Sequence, residues 1–232
     1  MVHKKIEMVS VIIPCYNREA FVENAILTVK GQTYGDWDCV IVDDGSTDGS
    51  LKKIKRATKG DNRFQVFHTE NRGVAAARNL AISHCRGEYV LPLDADDLLL
   101  PTALERFAQA WEQNPDASLV VPMIRKVGKG QPSIQDRKWN GYEDLKTRCA
   151  PTNSSCFRKS DWERVGGYRD GTMYEDWEFW LRLLYHNDNV VNIPEVLVIY
   201  NVRRNSRFHQ AVKRHEKEKE IIKQLNPEIY GQ

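Results

Sequence analysis

Two hydrophobic rhythms take turns along the first hundred residues. Val9–Pro14 (VSVIIP) is a short β-branched run that reads as a buried strand, and it ends at Cys15-Tyr16-Asn17. Phe21, Val22, Ala25, Ile26 and Val29 then recur at helical spacing, which predicts a helix from near Glu19 to around Gly31. CVIVDD repeats the strand pattern and closes on Asp43 and Asp44. Gly45-Ser46-Thr47-Asp48-Gly49 supplies turn chemistry and N-cap candidates for a helix carrying Leu51 and Ile54. A strand at Phe64–His68, a helix from Val74 to His84 and a strand at Glu88–Leu93 continue the series. Strand, helix, strand at this spacing predicts an α/β fold built of βαβ units, a mostly parallel sheet with helices on both faces. Pro92 has no ladder donor and marks a bulge or the last paired residues of its strand.

The second half is less regular. Leu104–Trp111 predicts a helix and Ser118–Met123 a strand, followed by an exposed loop or hairpin at Gly128–Pro132. Gly166–Tyr174 is turn-rich and leads into an amphipathic helix, Glu175–Tyr185; KRHEKEKEIIKQLN near the end reads as a charged helix. No internal repeat and no linker marks a boundary, so residues 1–232 read as one domain, the second half completing the sheet of the first.

Composition narrows the classes. With 232 residues and 41% hydrophobic content the chain can bury a substantial core. Thirty-four basic against 32 acidic residues leave a net charge of +2, which argues against a nucleic-acid partner. The five cysteines are odd in number and contain no C-x-x-C pair, the pattern of reduced intracellular thiols without a zinc site. No apolar stretch approaches the roughly 20 residues needed to cross a bilayer, so the expected location is the cytoplasm.

In a sheet of this kind ligands bind where the carboxyl ends of the strands meet. Three strands here end in polar groups: Tyr16 and Asn17, then Asp43 and Asp44, then Asp94, Asp96 and Asp97. Asp94 and Asp96 are two apart and, on a continuing extended segment, point to the same side. Crowded carboxylates repel, and a hard divalent cation, Mn2+ or Mg2+, relieves that repulsion; the alternative is an N-cap cluster before the helix opened by Pro101. Asp43 and Asp44 either cap the helix that follows or accept a hydrogen bond from the imide N–H of a uracil ring, which would favour a UDP-sugar. Arg78, in ENRGVAAARN, faces the same edge or is a surface arginine. Glu175-Asp176 opens the aromatic helix WEFWLRLL, as acid favoured by the helix dipole or as a partly desolvated general base.

VSVIIPCYNRE, VDDGSTDGS, ENRGVAAARN, the Asp94-Ala95-Asp96-Asp97 cluster, GGYRDGTMYEDWEFWLRL and IYNVRRNSRF, all in order, together resemble the family-2 glycosyltransferases with the GT-A fold, over residues 8 to 207. That resemblance implies a Rossmann-like nucleotide-binding half, about 1–100, merged with an acceptor-binding half, about 101–232. It implies metal-dependent, inverting transfer from a nucleotide-diphospho-sugar to an acceptor hydroxyl. By position it puts Pro14, Tyr16 and Asp44 around the base with Asn71 and Arg78 nearby. Asp94 would hold ribose or metal, Asp96 the metal with Asp97 as its rival, and Asp176 would be the catalytic base. Gly166, Gly167 and the loop before Glu175 would frame the acceptor, a glycan or lipid-linked sugar of cell-surface polysaccharide synthesis.

Two other readings compete. A nucleotidyltransferase also pairs carboxylates on a Rossmann-like sheet, but its Gly-rich phosphate loop is missing. A non-catalytic nucleotide-sugar-binding module would need neither Asp96 nor Asp176. Arg203, Arg204, Arg207, Lys213, Arg214, Lys217 and Lys219 gather positive charge that would attract anionic lipid at the inner face of the membrane; Glu216, Glu218 and Glu220 interleave, as on a solvated helix.

Overall fold

The computed structural model describes residues 8–149, 151–203 and 207–231, the side chains of 207–209 excepted. The first half is the expected alternation: β1 (Val9–Cys15), α1 (Val22–Lys30), β2 (Trp37–Asp44), α2 (Ser50–Thr58), β3 (Phe64–Thr69), α3 (Val74–Ser83) and β4 (Tyr89–Pro92). A two-residue strand, β5 (Leu98–Leu99), and α4 (Ala103–Gln113) follow. Then come β6 (Leu119–Gly128), β7 (Ser133–Gln135), α5 (Tyr142–Leu145), β8 (Cys156–Arg158), α6 (Lys159–Arg164), α7 (Glu175–Leu184) and the long β9 (Val190–Val202). The chain closes with α8 (Arg207–Lys213), α9 (His215–Leu225) and α10 (Pro227–Tyr230).

Among the described residues the strands form a single nine-stranded sheet in the order β3-β2-β1-β4-β8-β6-β9-β5, with β7 paired to β6. The β3-β2-β1-β4 half is wholly parallel, and β9 joins β6 in parallel further along. β1 shows why its apolar run does not alternate. Val9, Val11, Ile13 and Cys15 pack with α1 and α4 on one face, while Ile12 packs with α3 and α7 on the other. The predicted fold class therefore holds, with helices on both faces of the sheet.

Pro92 sits where its missing donor matters least. Leu93 N–H donates to Ile12 O at 2.9 Å, so the alternate position, Pro92, faces β8, whose pairing with β4 has already stopped at Val90. The predicted loop after β6 is a hairpin with β7. The charged helix expected near the C-terminus, KRHEKEKEIIKQLN, is α9, preceded by a short α8 that ends at Lys213.

Candidate active site

The strand ends converge as the topology requires. Pro14 near the end of β1 and Tyr16 just after it, Asp44 at the end of β2, Asn71 after β3, Arg78 on α3, Asp94 and Asp96 after β4, and Asp176 on α7 all line one cavity of about 470 Å³. These eight residues share the cavity, whereas Asn17, Asp43, Gly166 and Gly167 are not among its lining.

Backbone interlocks hold its floor. Asn17 adopts a left-handed φ of 52°; its N–H donates to Ser46 Oγ at 2.9 Å and its Oδ1 accepts from Thr47 N–H at 2.8 Å. Gly45, at φ 72°, comes so close to the next loop that a Cβ would lie 2.7 Å from Asn71 N. Asp44 fastens the same loop, with Oδ1 accepting from Arg72 N–H at 2.8 Å and Oδ2 from Gly73 N–H at 2.9 Å. Neither Asp43 nor Asp44 caps α2. Asp48 Oδ1 takes the Ser50 N–H at 3.0 Å, and Asp43 instead meets His68 Nδ1 on β3 at 2.7 Å.

Arg78 is the centre of the site. Only 3% exposed, it donates from Nη1 to Glu175 Oε1 at 2.7 Å and from Nη2 to Asp94 Oδ1 at 3.0 Å. Burial opposes its charge, but Asp94 and Glu175 outweigh that and push its pKa above the ordinary arginine value. One guanidinium thereby spans from the β4 edge to the head of α7. Asp94 Oδ1 also accepts from Asn153 Nδ2 at 3.1 Å, a residue with no signal in the sequence to mark it.

The acidic segment is not extended. Asp97 N–H donates to Asp94 O at 2.9 Å, folding Asp94–Asp97 into a turn, so the two-residue alternation that would align Asp94 and Asp96 does not apply. Asp96 still faces the cavity, where Oδ2 lies 2.5 Å from Arg203 Nε and 3.5 Å from Arg18 Nε. Burial and the Asp94 charge push its carboxyl upward, with Arg203 and Arg18 pulling back. Asp97 is 2% exposed and accepts the Asn201 N–H of β9 at 2.9 Å; burial, with Asp94 and Asp96, raises it well above the usual range. Arg18 and Arg203 were missed as partners of Asp96 because nothing local links positions so far apart in the chain.

Asp176 lies in the first turn of α7, its Oδ1 accepting its neighbour's Trp177 N–H at 2.8 Å. Burial, then the adjacent Glu175 charge, push its pKa up to about 6, against the pull of Arg78. That is the environment of a base poised near neutral pH. Met173 and Tyr174 line the cavity beside it, but Gly166 and Gly167 do not. Their turn is drawn behind α7, where Arg182 Nη2 donates to Gly167 O at 2.8 Å.

Asp94 and Asp96 bring hard carboxylate oxygens to the cavity, and among the described residues no cluster of three or more ligand side chains closes a cage around them. That donor set fits a magnesium or manganese ion bound by one or two carboxylates and completed by water and phosphate oxygens.

Residues 10–164, from β1 through α6, match the family described as Glycosyl transferase family 2. The chain is 26% identical over 215 residues to the Escherichia coli O-antigen biosynthesis glycosyltransferase WbnJ, covering 89% of this chain and 84% of that one. It is 37% identical over 116 residues to the glycosyltransferase GlyG of Streptococcus pneumoniae serotype 4, half of this chain but only 38% of that longer protein. In structure it resembles S. aureus TarS 1-349 in complex with UDP-GlcNAc, with a TM-score of 0.76 and 18% identity, covering 88% of this chain and 61% of that one. The mannosyltransferase PcManGT from Pyrobaculum calidifontis, in complex with GDP-Man and Mn2+, aligns at a TM-score of 0.70 and 22% identity over 93% and 63% of the two chains. The fold is accordingly the GT-A fold, and the chain belongs to glycosyl transferase family 2.

Proposed function

We propose that the chain moves a sugar from a nucleotide-diphospho-sugar to an acceptor hydroxyl with inversion, with the help of a divalent cation. One observation carries this reading: Asp94, Asp96 and Asp176 line a single cavity, and Arg78 joins Asp94 to Glu175, the chain neighbour of Asp176. Pro14, Tyr16 and Asn71 would border the base. Asp44 would share with the base the oxygens that already hold the β3–α3 loop. We favour a UDP-sugar, as in the TarS complex; the GDP-Man complex of PcManGT names the rival donor.

Asp94 and Asp96 would hold the cation, Mn2+ or Mg2+, and Asp97, spent on β9, would support their turn. When bound, the ion neutralises charge growing on the departing diphosphate. Arg18 and Arg203, released from Asp96, would be free to meet phosphate oxygens. Asp176 would take the proton from the acceptor hydroxyl as it attacks in line, opposite the leaving group, which inverts the anomeric centre. A single displacement needs no covalent nucleophile. Residues 1–100 would serve the donor and 101–232 the acceptor, in glycan or polysaccharide assembly of the kind WbnJ is named for, at the cytoplasmic face of the membrane.

The test is a calorimetric titration of UDP and of GDP with and without manganese. Binding should require the metal, and Asp96→Asn should abolish it with the fold intact, whereas Asp97→Asn should keep it. Unchanged, metal-dependent affinity in Asp96→Asn would contradict the assignment.

A further inference from the structure

The wall of the cavity carries two cations that the proposed transfer chemistry does not use. Lys126, on β6, and Arg137, just after β7, both line the cavity and both are half-buried. Among the described residues neither makes an ion pair, and Arg137 Nε is a buried donor without a hydrogen-bond partner. Burial and then the Arg137 charge depress the pKa of Lys126, so two like charges share this wall. Such a pair is costly unless an anion completes it.

The corner is also built rather than incidental. Asn192 of β9 clamps the backbone that carries Arg137, donating from Nδ2 to Arg137 O at 3.1 Å and accepting Trp139 N–H at 3.1 Å. Lys126 Nζ lies over the Tyr200 ring, 5.9 Å from its centre. Arg137, Cys149 and Asp176 all line the same cavity, so the cationic corner and the proposed base open onto one space.

We infer that the acceptor carries an anionic group, a phosphate or a carboxylate, and that Lys126 and Arg137 hold it while Asp176 addresses the nearby hydroxyl. The inference rests on the glycosyl-transfer reading and adds the chemical class of the acceptor. Guanidinium and ammonium placed together suit an oxyanion better than a neutral sugar, which offers only hydroxyls.

The test titrates glucose 6-phosphate, glucuronate and glucose into the full chain, with UDP and manganese present to fill the donor side. Glucose 6-phosphate or glucuronate should bind about tenfold or more tighter than glucose, the scale of one or two charge-assisted hydrogen bonds. Whichever of the two binds better identifies phosphate or carboxylate. Lys126→Gln and Arg137→Gln should each lose part of that preference and the double variant all of it, while UDP affinity stays within about threefold. The single variants, each keeping one cation, guard against a double variant that fails to fold. Acidic sugars bound no more tightly than glucose would overturn the proposal. So would a parallel loss of UDP affinity, which would give the two cations to the donor. A preference for acidic sugars that vanishes in the double variant, in a protein that binds no nucleoside diphosphate, would uphold the subsite and sink the donor reading instead.

Discussion

At the scale of single residues the site turns on two side chains of opposite sign. Arg78 is buried between Asp94 and Glu175, and removing one partner of a buried pair costs more than the pair itself contributes, because the remaining charge is stranded. Arg78→Met is therefore expected to lower stability by about 3–5 kcal/mol in urea unfolding. Arg78→Lys should recover part of this at most, since an ammonium does not reproduce the fork that reaches both carboxylates. Asp176 has the reverse character. Its pKa is raised on folding from 3.8 to about 6, so between those values the folded chain holds a proton that the unfolded chain releases. Stability consequently falls as pH rises through that window, and above it the ionised carboxylate costs the fold its full penalty. Asp176→Asn should melt at a higher temperature than the wild type at pH 7.5, and the difference should close near pH 4. A variant that melts lower at pH 7.5 would show that the carboxylate is a structural cap on α7.

At the scale of elements, loop contacts decide the site as much as helices and strands do. Gly45→Ala places a methyl group 2.7 Å from Asn71 N on a backbone at φ 72°, so it is expected to destabilise by about 1–3 kcal/mol and to loosen nucleotide binding. Paired denaturation and UDP titrations read both effects. The βαβ half was legible because each strand there is a short apolar run and each helix has its own stripe, so local pattern and global fold agree. β9 was not marked in advance, since Pro194 interrupts its apolar run. In the structure Pro194 and Glu195 fall where the β6–β9 register shifts, with Ile193 opposite Pro122 and Val196 opposite Met123. β5 and β8 are two and three residues long, too short to show any period. The carboxylates stood out by clustering, but Arg18, Arg203 and Asn153 reach them only through tertiary folding.

At the scale of the whole molecule, the sheet and α7 bring the groups proposed for the donor and the base to one cavity, and the C-terminal helices pack against this half. α9 reads as a solvated charged helix, yet Glu218 is 1% exposed and accepts from Thr172 Oγ1 at 3.0 Å and Met173 N–H at 2.8 Å. It thus anchors the loop that leads into Asp176, a contact that helical periodicity does not reveal. On the rest of α9, Lys219 meets Glu216 at 3.6 Å and Lys223 meets Glu220 at 3.8 Å, pairing that suits a solvated face more than a lipid-binding one. Arg204 of the basic cluster, and the side chain of Arg207, lie outside the described residues. No helix among those described is long and apolar enough to cross a membrane. Family membership removes the nucleotidyltransferase reading. What separates a transferase using Asp176 from a chain that only binds its donor is a comparison of turnover and donor affinity in the Asp176→Asn variant, with an acceptor that the wild type uses. Donor and metal affinity should stay within about twofold while turnover drops by about two to four orders of magnitude, the usual contribution of a general base. Near-normal turnover in that variant would contradict the account.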